Sequence, residues 1–374
     1  MRVLLAAGGT AGHINPALAI ASIIKENVKD AEFLFAGTPF GMEAKLIPQA
    51  GFDFAPIKVK GFQRQLNLRN IKNNVKAVGY LTTSGHRAKQ IINEFKPDIA
   101  IGTGGYVSGP VILKAAKMGI PTVIHEQNAY PGVTTRLLSK HAKCVMLTVE
   151  AASKYLEEGV KYTVTGLPVR SSILSKKRED ARKELGFDDS MCILSFGGSL
   201  GSECINENVA QLIEWHTKNN LKINHIHAYG SNGHNDFPRF MRERNIDTSY
   251  ERLKISEYIH NMDTCMACAD LVICRSGAAT LAELEARGRA SILIPAPHLA
   301  GNHQYYNAKV LSDADAAVLI EQKDLTPQLL IDTVKGFYEN PLKLTEMSKK
   351  SNSLAISDTQ KRILDIILQN AKKQ

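Results

Sequence analysis

Two stretches far apart in the chain share one plan. Arg2–Ala7 is a short apolar run that gives way to Gly8-Gly9-Thr10-Ala11-Gly12-His13 and then to a helical pattern from Ile14 onward. Met191–Phe196 leads in the same way into Gly197-Gly198-Ser199-Leu200-Gly201-Ser202 and a helical pattern through about residue 216. An apolar run with no alternation is a strand covered on both faces, and such strands belong to parallel sheets wrapped by crossover helices. The glycines let the backbone turn sharply and approach a bound group, while the following helix points free N–H groups and its positive dipole end at that group. A phosphate-bearing ligand suits this turn; a tight structural turn with a helix cap uses the same residues.

The chain of 374 residues exceeds what one hydrophobic core usually organises. The repeated unit therefore predicts two Rossmann-like α/β domains with a ligand cleft between them. The expected division is 1–165, 166–355, and a C-terminal helix over 356–374 that packs back on the first domain, with a hinge at Gly166–Arg170. Strands are predicted at 2–7, 31–36, 53–58, 98–102, 121–125, 143–147 and 162–165, then at 191–196, 223–229, 249–254, 270–274, 290–294 and 316–320. Helices include 15–28, 69–94, 150–158 and a continuous stretch over 341–372.

Charge is unevenly spread. Residues 1–165 carry 20 Lys and Arg against 11 Asp and Glu, whereas residues 166–374 carry 26 of each kind, so the whole excess of +9 lies in the first half. Between Asp53 and Glu94 stand eight basic residues and no acidic one. Within that stretch Leu68, Ile71, Val75 and Val78 recur at helical spacing beside Arg69, Lys72 and Lys76, making residues 66–82 a basic amphipathic helix. Its apolar stripe either faces the core or lies on an anionic membrane surface. The stretch lacks the interleaved aromatics that stack bases, which counts against nucleic acid as a partner. No apolar run reaches the length of a bilayer span, and six scattered cysteines suggest reduced thiols in a cytoplasmic protein. Cys265 and Cys268 form a C-x-x-C without a second pair and read as buried thiols.

Further clusters follow predicted strands, where α/β sheets bind ligands. They are Gly102–Pro110, His125-Glu126-Gln127-Asn128, and Cys274–Glu283 together with Pro295–Asn307. Ser276–Thr280 at a helix start repeats the anion-binding logic, and Arg275 either neutralises a diphosphate or pairs structurally. There is no G-x-x-x-x-G-K-[ST] phosphate loop. The opening spacing G-G-x-x-G, and a second strand ending Phe35-Ala36-Gly37-Thr38 without an acidic residue, argue against a nicotinamide dehydrogenase. Asp313-Ala314-Asp315 has the D-x-D form of some metal sites but reads as a turn.

Gly8–His13, Gly104–Pro110, His125–Asn128, Gly197–Ser199 and Cys274–Ala278 together resemble the motif series of the MurG family, in order and in both halves. The resemblance implies a GT-B fold, with the acceptor in the N-terminal domain and the nucleotide sugar in the C-terminal one. It implies inverting transfer of N-acetylglucosamine from UDP-GlcNAc to the 4-hydroxyl of the muramyl sugar of lipid I, giving lipid II, with no metal and no cofactor. The donor contacts it assigns are Thr10, Ala11, Gly12, Asn128, Arg170, Ser199, Ile259, Ala278, Ala279, Thr280, Leu281, Ala282, Glu283 and Gln304. Glu283 would hold the ribose hydroxyls and Gln304 the sugar. Gly9, Gly12, His13, Gly104, Gly105, Tyr106 and Ser108 are assigned to the acceptor diphosphate, and His13, Tyr106 and Glu283 to catalysis, with His13 as the base. The expected partners are UDP-GlcNAc, lipid I, the anionic cytoplasmic leaflet of the inner membrane, where the chain would lie peripherally, and other cell-wall and division proteins. The chain departs from the family pattern at Ala11, Leu167 and Leu200, where Gly, Asn and Gln are usual. Transfer to another lipid and epimerisation of a UDP-sugar are the alternatives within this fold.

Overall fold

The computed structural model describes residues 1–59, 83–234 and 236–372. The basic segment over 66–82, with Arg69, Lys72 and Lys76, lies outside the described residues, as does most of the helix expected over 69–94; residues 83–95 are helical. The chain forms two compact units, Met1–Pro168 with Asp358–Gln374, and Val169–Ser357.

The first unit is built on a seven-stranded parallel sheet. Its strands are β1 (Arg2–Ala7), β2 (Glu32–Gly37), β3 (Asp53–Pro56), β4 (Ile99–Gly104), β5 (Thr122–Glu126), β6 (Cys144–Leu147) and β7 (Tyr162–Val164). They run in the order β3-β2-β1-β4-β5-β6-β7. Successive side chains of β1 enter different cores, as the two-residue period of a strand requires. Val3, Leu5 and Ala7 pack with the helix Ala11–Asn27, and Leu4 and Ala6 with Ile91, Ile92, Val111 and Ile112. The C-terminal helix Thr359–Asn370 joins the first of these cores through Ile363, Ile366 and Ile367, whose spacing of three and one puts them on one helical face. Arg362 fixes it by donating to Asp358 at 2.7 Å and to the Val164 carbonyl at 2.9 Å.

The second unit repeats the order with six parallel strands, β10-β9-β8-β11-β12-β13. These are β8 (Met191–Phe196), β9 (Ile223–Ala228), β10 (Leu253–Ser256), β11 (Leu271–Cys274), β12 (Ala290–Leu293) and β13 (Val318–Leu319). In both sheets the strand order reverses beside the first strand of the unit, between β1 and β4 and between β8 and β11. That is where an open α/β sheet binds its ligand.

Every predicted strand has a counterpart, the one expected over 249–254 lying later, at Leu253–Ser256, and the other departures lie in the helices. The first helix begins at Ala11 rather than 15, so Gly12 and His13 belong to its opening turn. The stretch 150–158 is a six-residue 3-10 turn, Glu150–Tyr155. The continuous C-terminal helix is two, Pro341–Ser353 in the second unit and Thr359–Asn370 in the first. Two short helices after the hinge, Ser171–Ser175 and Arg178–Leu185, were not foreseen.

Candidate active site

In the first unit the loops that follow β1, β4 and β5 meet, because those strands are neighbours in the sheet. The loops after β1 and β4 interlock through glycines. Gly105 has φ +80°, and a Cβ there would collide with the Gly8 carbonyl oxygen. Gly104 has φ +111°, and its Cβ would lie 2.6 Å from His13 Nδ1. The His13 ring thus rests against bare backbone, a contact only glycine permits. The Thr103 hydroxyl donates to the His13 carbonyl at 2.8 Å, and His13 Nδ1 lies 3.1 Å from Gln127 Oε1. Nε2 of His13 has no hydrogen-bond partner among the described residues.

Beneath the opening loop lies a carboxylate. Glu43 is fully buried and accepts from Gly9 N (3.2 Å), Thr38 N (3.0 Å) and the Thr38 hydroxyl (2.6 Å). Glu126 has a parallel task after β5, accepting from Asn128 N, Asn128 Nδ2 and Gly132 N at 3.0–3.2 Å. Both carboxylates shape a loop with bonds to backbone N–H groups.

This changes the expected acceptor site. The Gly9 amide is spent on Glu43, so it is not offered to a diphosphate. Ser108 is buried, its hydroxyl donating to the Ala6 and Gly104 carbonyls at 2.6 and 2.8 Å and accepting from Gly104 N at 3.1 Å. Ser108 and the Gly104 amide therefore pin the β4 loop to β1 rather than face a ligand. Of the expected set, Gly12 in the first helical turn, His13, the half-buried Gly105 and the 60 % exposed Tyr106 remain open to one. Thr10 caps that helix without a side-chain bond, and no acidic residue stands in its first turn, so the dipole end is uncompensated there.

In the second unit the loops after β8, β11 and β12 surround a cavity of about 670 Å³. Gly197–Ser202, Arg275, Gly277, Thr280, Pro297 and Gln304 are in its wall. Ser199, Thr280 and Gln304 are thus brought together as expected. Gln304 is held by accepting from Ala296 N at 2.9 Å, and its backbone carbonyl accepts from the Ser276 hydroxyl at 2.8 Å. Ala278 and Ala279 form the first turn of the helix Ala278–Arg287, capped by Gly277 with no acidic residue in that turn. Leu281, Ala282 and Ile259 are buried, so their side chains serve the core and only their backbone could touch a ligand.

Arg275 settles as a clasp. It donates to the Ile294 and Pro295 carbonyls at 3.1 and 3.0 Å, and to Ser202 Oγ and Gln322 Oε1 at 2.6 Å each. Burial pulls its pKa down, and no carboxylate pairs with it among the described residues. With its four Nη hydrogens spent on the protein, what Arg275 offers an anion in the cavity is its uncompensated charge rather than a hydrogen-bond fork. Glu283 does have a partner: Arg170 donates to its Oε1 through Nε and Nη2 at 3.1 and 2.8 Å. Burial raises the Glu283 pKa and Arg170 opposes the rise. Asp313 and Asp315 each meet a lysine, Lys309 and Lys350, at 2.8 Å. Cys265 and Cys268 are buried free thiols.

Glu43, Gln127 and Thr103 were missed as site residues. Gln127 lay in a polar run that was noticed, whereas Glu43 left no local sign beyond an acidic residue at a helix start.

Residues 3–147 match the glycosyltransferase family 28 N-terminal domain and residues 192–363 the family 28 C-terminal domain. A Thermoanaerobacter sp. (strain X514) protein is 44% identical over 368 residues, spanning 98% of this chain and 99% of its own length. Its name is UDP-N-acetylglucosamine–N-acetylmuramyl-(pentapeptide) pyrophosphoryl-undecaprenol N-acetylglucosamine transferase. The crystal structure of Acinetobacter baumannii MurG superposes with a TM-score of 0.79 at 29% identity, covering 98% of this chain and 99% of that one. A Neisseria meningitidis UDP-GlcNAc 2-epimerase, at 15% identity and a TM-score of 0.65 over 99% of this chain and 100% of its own, shares the fold alone. The chain belongs to the MurG family, that of the UDP-N-acetylglucosamine–N-acetylmuramyl-(pentapeptide) pyrophosphoryl-undecaprenol N-acetylglucosamine transferases.

Proposed function

We propose that the chain transfers N-acetylglucosamine from UDP-GlcNAc to the 4-hydroxyl of the muramyl sugar of lipid I, with inversion, giving lipid II and UDP. The substrate pair comes from the full-length relatives. The observation that carries the reading to this chain is the cavity after β8, β11 and β12, which holds an arginine without a counter-ion and the open N-terminus of a helix. UDP gains negative charge as its bond to the sugar breaks, and Arg275 with the N–H groups at 278–280 would stabilise that charge. Glu283, released from Arg170, would accept from the ribose hydroxyls, and Gln304 would hold the sugar. His13 in the first unit would take the proton of the attacking hydroxyl as the new C–O bond forms on the face opposite UDP. Tyr106 and the helix start at Gly12 would hold the acceptor diphosphate.

The test is UDP release from UDP-GlcNAc with and without a short-chain lipid I analogue, in EDTA. Release that needs the analogue, with lipid II formed in equal amount, is expected. Release without it, or conversion of UDP-GlcNAc to its 2-epimer, would refute the reading.

The chain would act from the cytoplasmic face of the bacterial membrane as a peripheral protein. Its basic segment at 53–94 supports this, and among the described residues no helix is long and apolar enough to cross a membrane. Neutralising Arg69, Lys72 and Lys76 together should weaken sedimentation with phosphatidylglycerol vesicles while leaving turnover of a water-soluble acceptor intact. Unchanged sedimentation would sink the idea.

A further inference from the structure

We propose that Gln127 is the positioning residue for His13, fixing its imidazole as the Nδ1–H tautomer so that the Nε2 lone pair is the one presented for chemistry. The proposal rests on the reading of His13 as the base. It follows from the order in which protons must be placed. Gln127 Nε2 lies 2.8 Å from the carbonyl oxygen of His125, which can only accept, so that atom is the amide nitrogen and the side chain cannot be flipped. The amide oxygen therefore faces His13 Nδ1 at 3.1 Å. An amide oxygen only accepts as well, so His13 Nδ1 carries a proton, and in the neutral imidazole Nε2 is bare.

The other end of the relay agrees. The second hydrogen on Gln127 Nε2 points at His125 Nδ1, 3.1 Å away, which must then be a lone pair. The His125 proton is left on Nε2, which lies 3.1 Å from the Gly166 carbonyl. His125 is fully buried, and burial pulls its pKa down, so it stays neutral as the arrangement requires. Gln127 is only 4% exposed, which keeps water from competing for its bonds. The run from the Gly166 carbonyl through His125 and Gln127 thus admits one proton arrangement, and His13 inherits its tautomer from it.

The choice of an amide has a consequence. A carboxylate at this position would orient the ring equally well but would also hold His13 as imidazolium. The nearby carboxylates, Glu43 and Glu126, are committed to Gly9 and Thr38, and to Asn128 and Gly132. Gln127 therefore supplies direction without charge. A ring free to choose in water favours the proton on Nε2, which would hide the lone pair against Gly104.

The experiment uses the full chain labelled with [15N]histidine, reading tautomers from two-bond 1H–15N correlations, with His13→Ala to assign the signal. Wild type should show the His13 proton on Nδ1. Gln127→Leu should shift it to a mixture dominated by Nε2–H, with kcat toward the short-chain lipid I analogue falling about tenfold or more while KM for UDP-GlcNAc stays within about twofold. A wild-type His13 protonated on Nε2 overturns the proposal, and that spectrum decides even where Gln127→Leu fails to fold. So does a Gln127→Leu chain with unchanged tautomer and turnover. If Gln127→Leu moves the tautomer but His13→Ala keeps full turnover, the positioning stands and the reading of His13 as base falls.

Discussion

In the first unit the loop after the opening strand rests on a buried carboxylate, Glu43; in the second the equivalent loop borders a cavity walled by a guanidinium, Arg275. The strand order is the same, and in each unit the loops come from three neighbouring strands. What differs is where the polar groups are spent. In the first unit the Gly9 and Gly104 amides, the Ser108 hydroxyl and the Gln127 amide all bond within the protein. That consumption leaves few donors for a ligand, but it holds one imidazole rigidly. In the second unit a helix N-terminus borders the cavity, and Arg275, its Nη hydrogens likewise spent on the protein, adds a positive charge with no carboxylate beside it. One scaffold thus carries two differently equipped sites, and the difference lies in the side chains rather than in the fold.

The contrast extends to buried imidazoles and can be broken by acid. The first unit buries His125 alone, whereas the second buries His216, His225 and His227 around Ser195. Ser195 Oγ lies 2.8 Å from both His225 Nε2 and His227 Nδ1, and His216 Nε2 lies 3.2 Å from His225 Nδ1. Burial pulls His216 to about 4 and His227 to about 3, and it pulls His225 well below its ordinary value, with help from its two neighbours. Folded pKa values below the unfolded ones mean that this stability is complete above the ordinary histidine value and is lost as pH falls. Glu285 opposes the trend, because burial pushes its carboxyl up to about 8, so the folded state keeps a proton that the unfolded state releases. Three imidazoles against Glu285 and Glu283, whose carboxyl burial also raises, leave a net uptake of about one to two protons on unfolding between pH 5 and 6, about 1–3 kcal/mol per pH unit. The chain's one tryptophan, Trp215, stands beside His216 and reports on this unit. Its fluorescence in urea should show a midpoint that drops steeply below pH 6.5. A midpoint flat from pH 6.5 to 5 would show that the cluster is protonated or wet in the native state.

The scaffold was legible in the residues because burial on both faces of a parallel strand writes a continuous apolar run. Val3–Ala7 and Leu271–Cys274 carry that signature locally. The glycine loops were legible for a similar reason, since their backbone demands are met within a few residues. Glu43 was not: it closes on Gly9 across 34 residues, and an acidic residue at a helix start reads first as dipole compensation. Gln127 stood in plain view after β5, but its role depends on which amide atom faces which ring nitrogen, which no spacing encodes. The same limit led Ser108 to be read as a ligand contact when its hydroxyl is buried between two carbonyls. Helix ends failed for a simpler reason. A glycine-rich run such as Gly8–Gly12 reads as a turn, yet the first helix starts within it at Ala11.

Two glycines sharpen the comparison, the larger effect first. Gly104→Ala places a methyl at φ +111° against the His13 ring. It should cost about 2 kcal/mol of stability from the backbone alone. With His13 as the proposed base, it should also lower kcat more than donor KM. Gly277 is the opposite case. Its φ of −68° and ψ of 137° suit any residue, and a Cβ there meets no atom within 4 Å. As alanine is a poorer N-cap than glycine, Gly277→Ala should lower the unfolding free energy by about 0.5–1 kcal/mol, less than Gly104→Ala. Yet Gly277 is in the cavity wall at the helix start, and a diphosphate drawn to those N–H groups would meet the new methyl. Crowding of about 1 kcal/mol should raise KM for UDP-GlcNAc roughly fivefold with kcat little changed. An unaltered KM would move the diphosphate away from the helix Ala278–Arg287 and leave Arg275 to bind it from the β8 side.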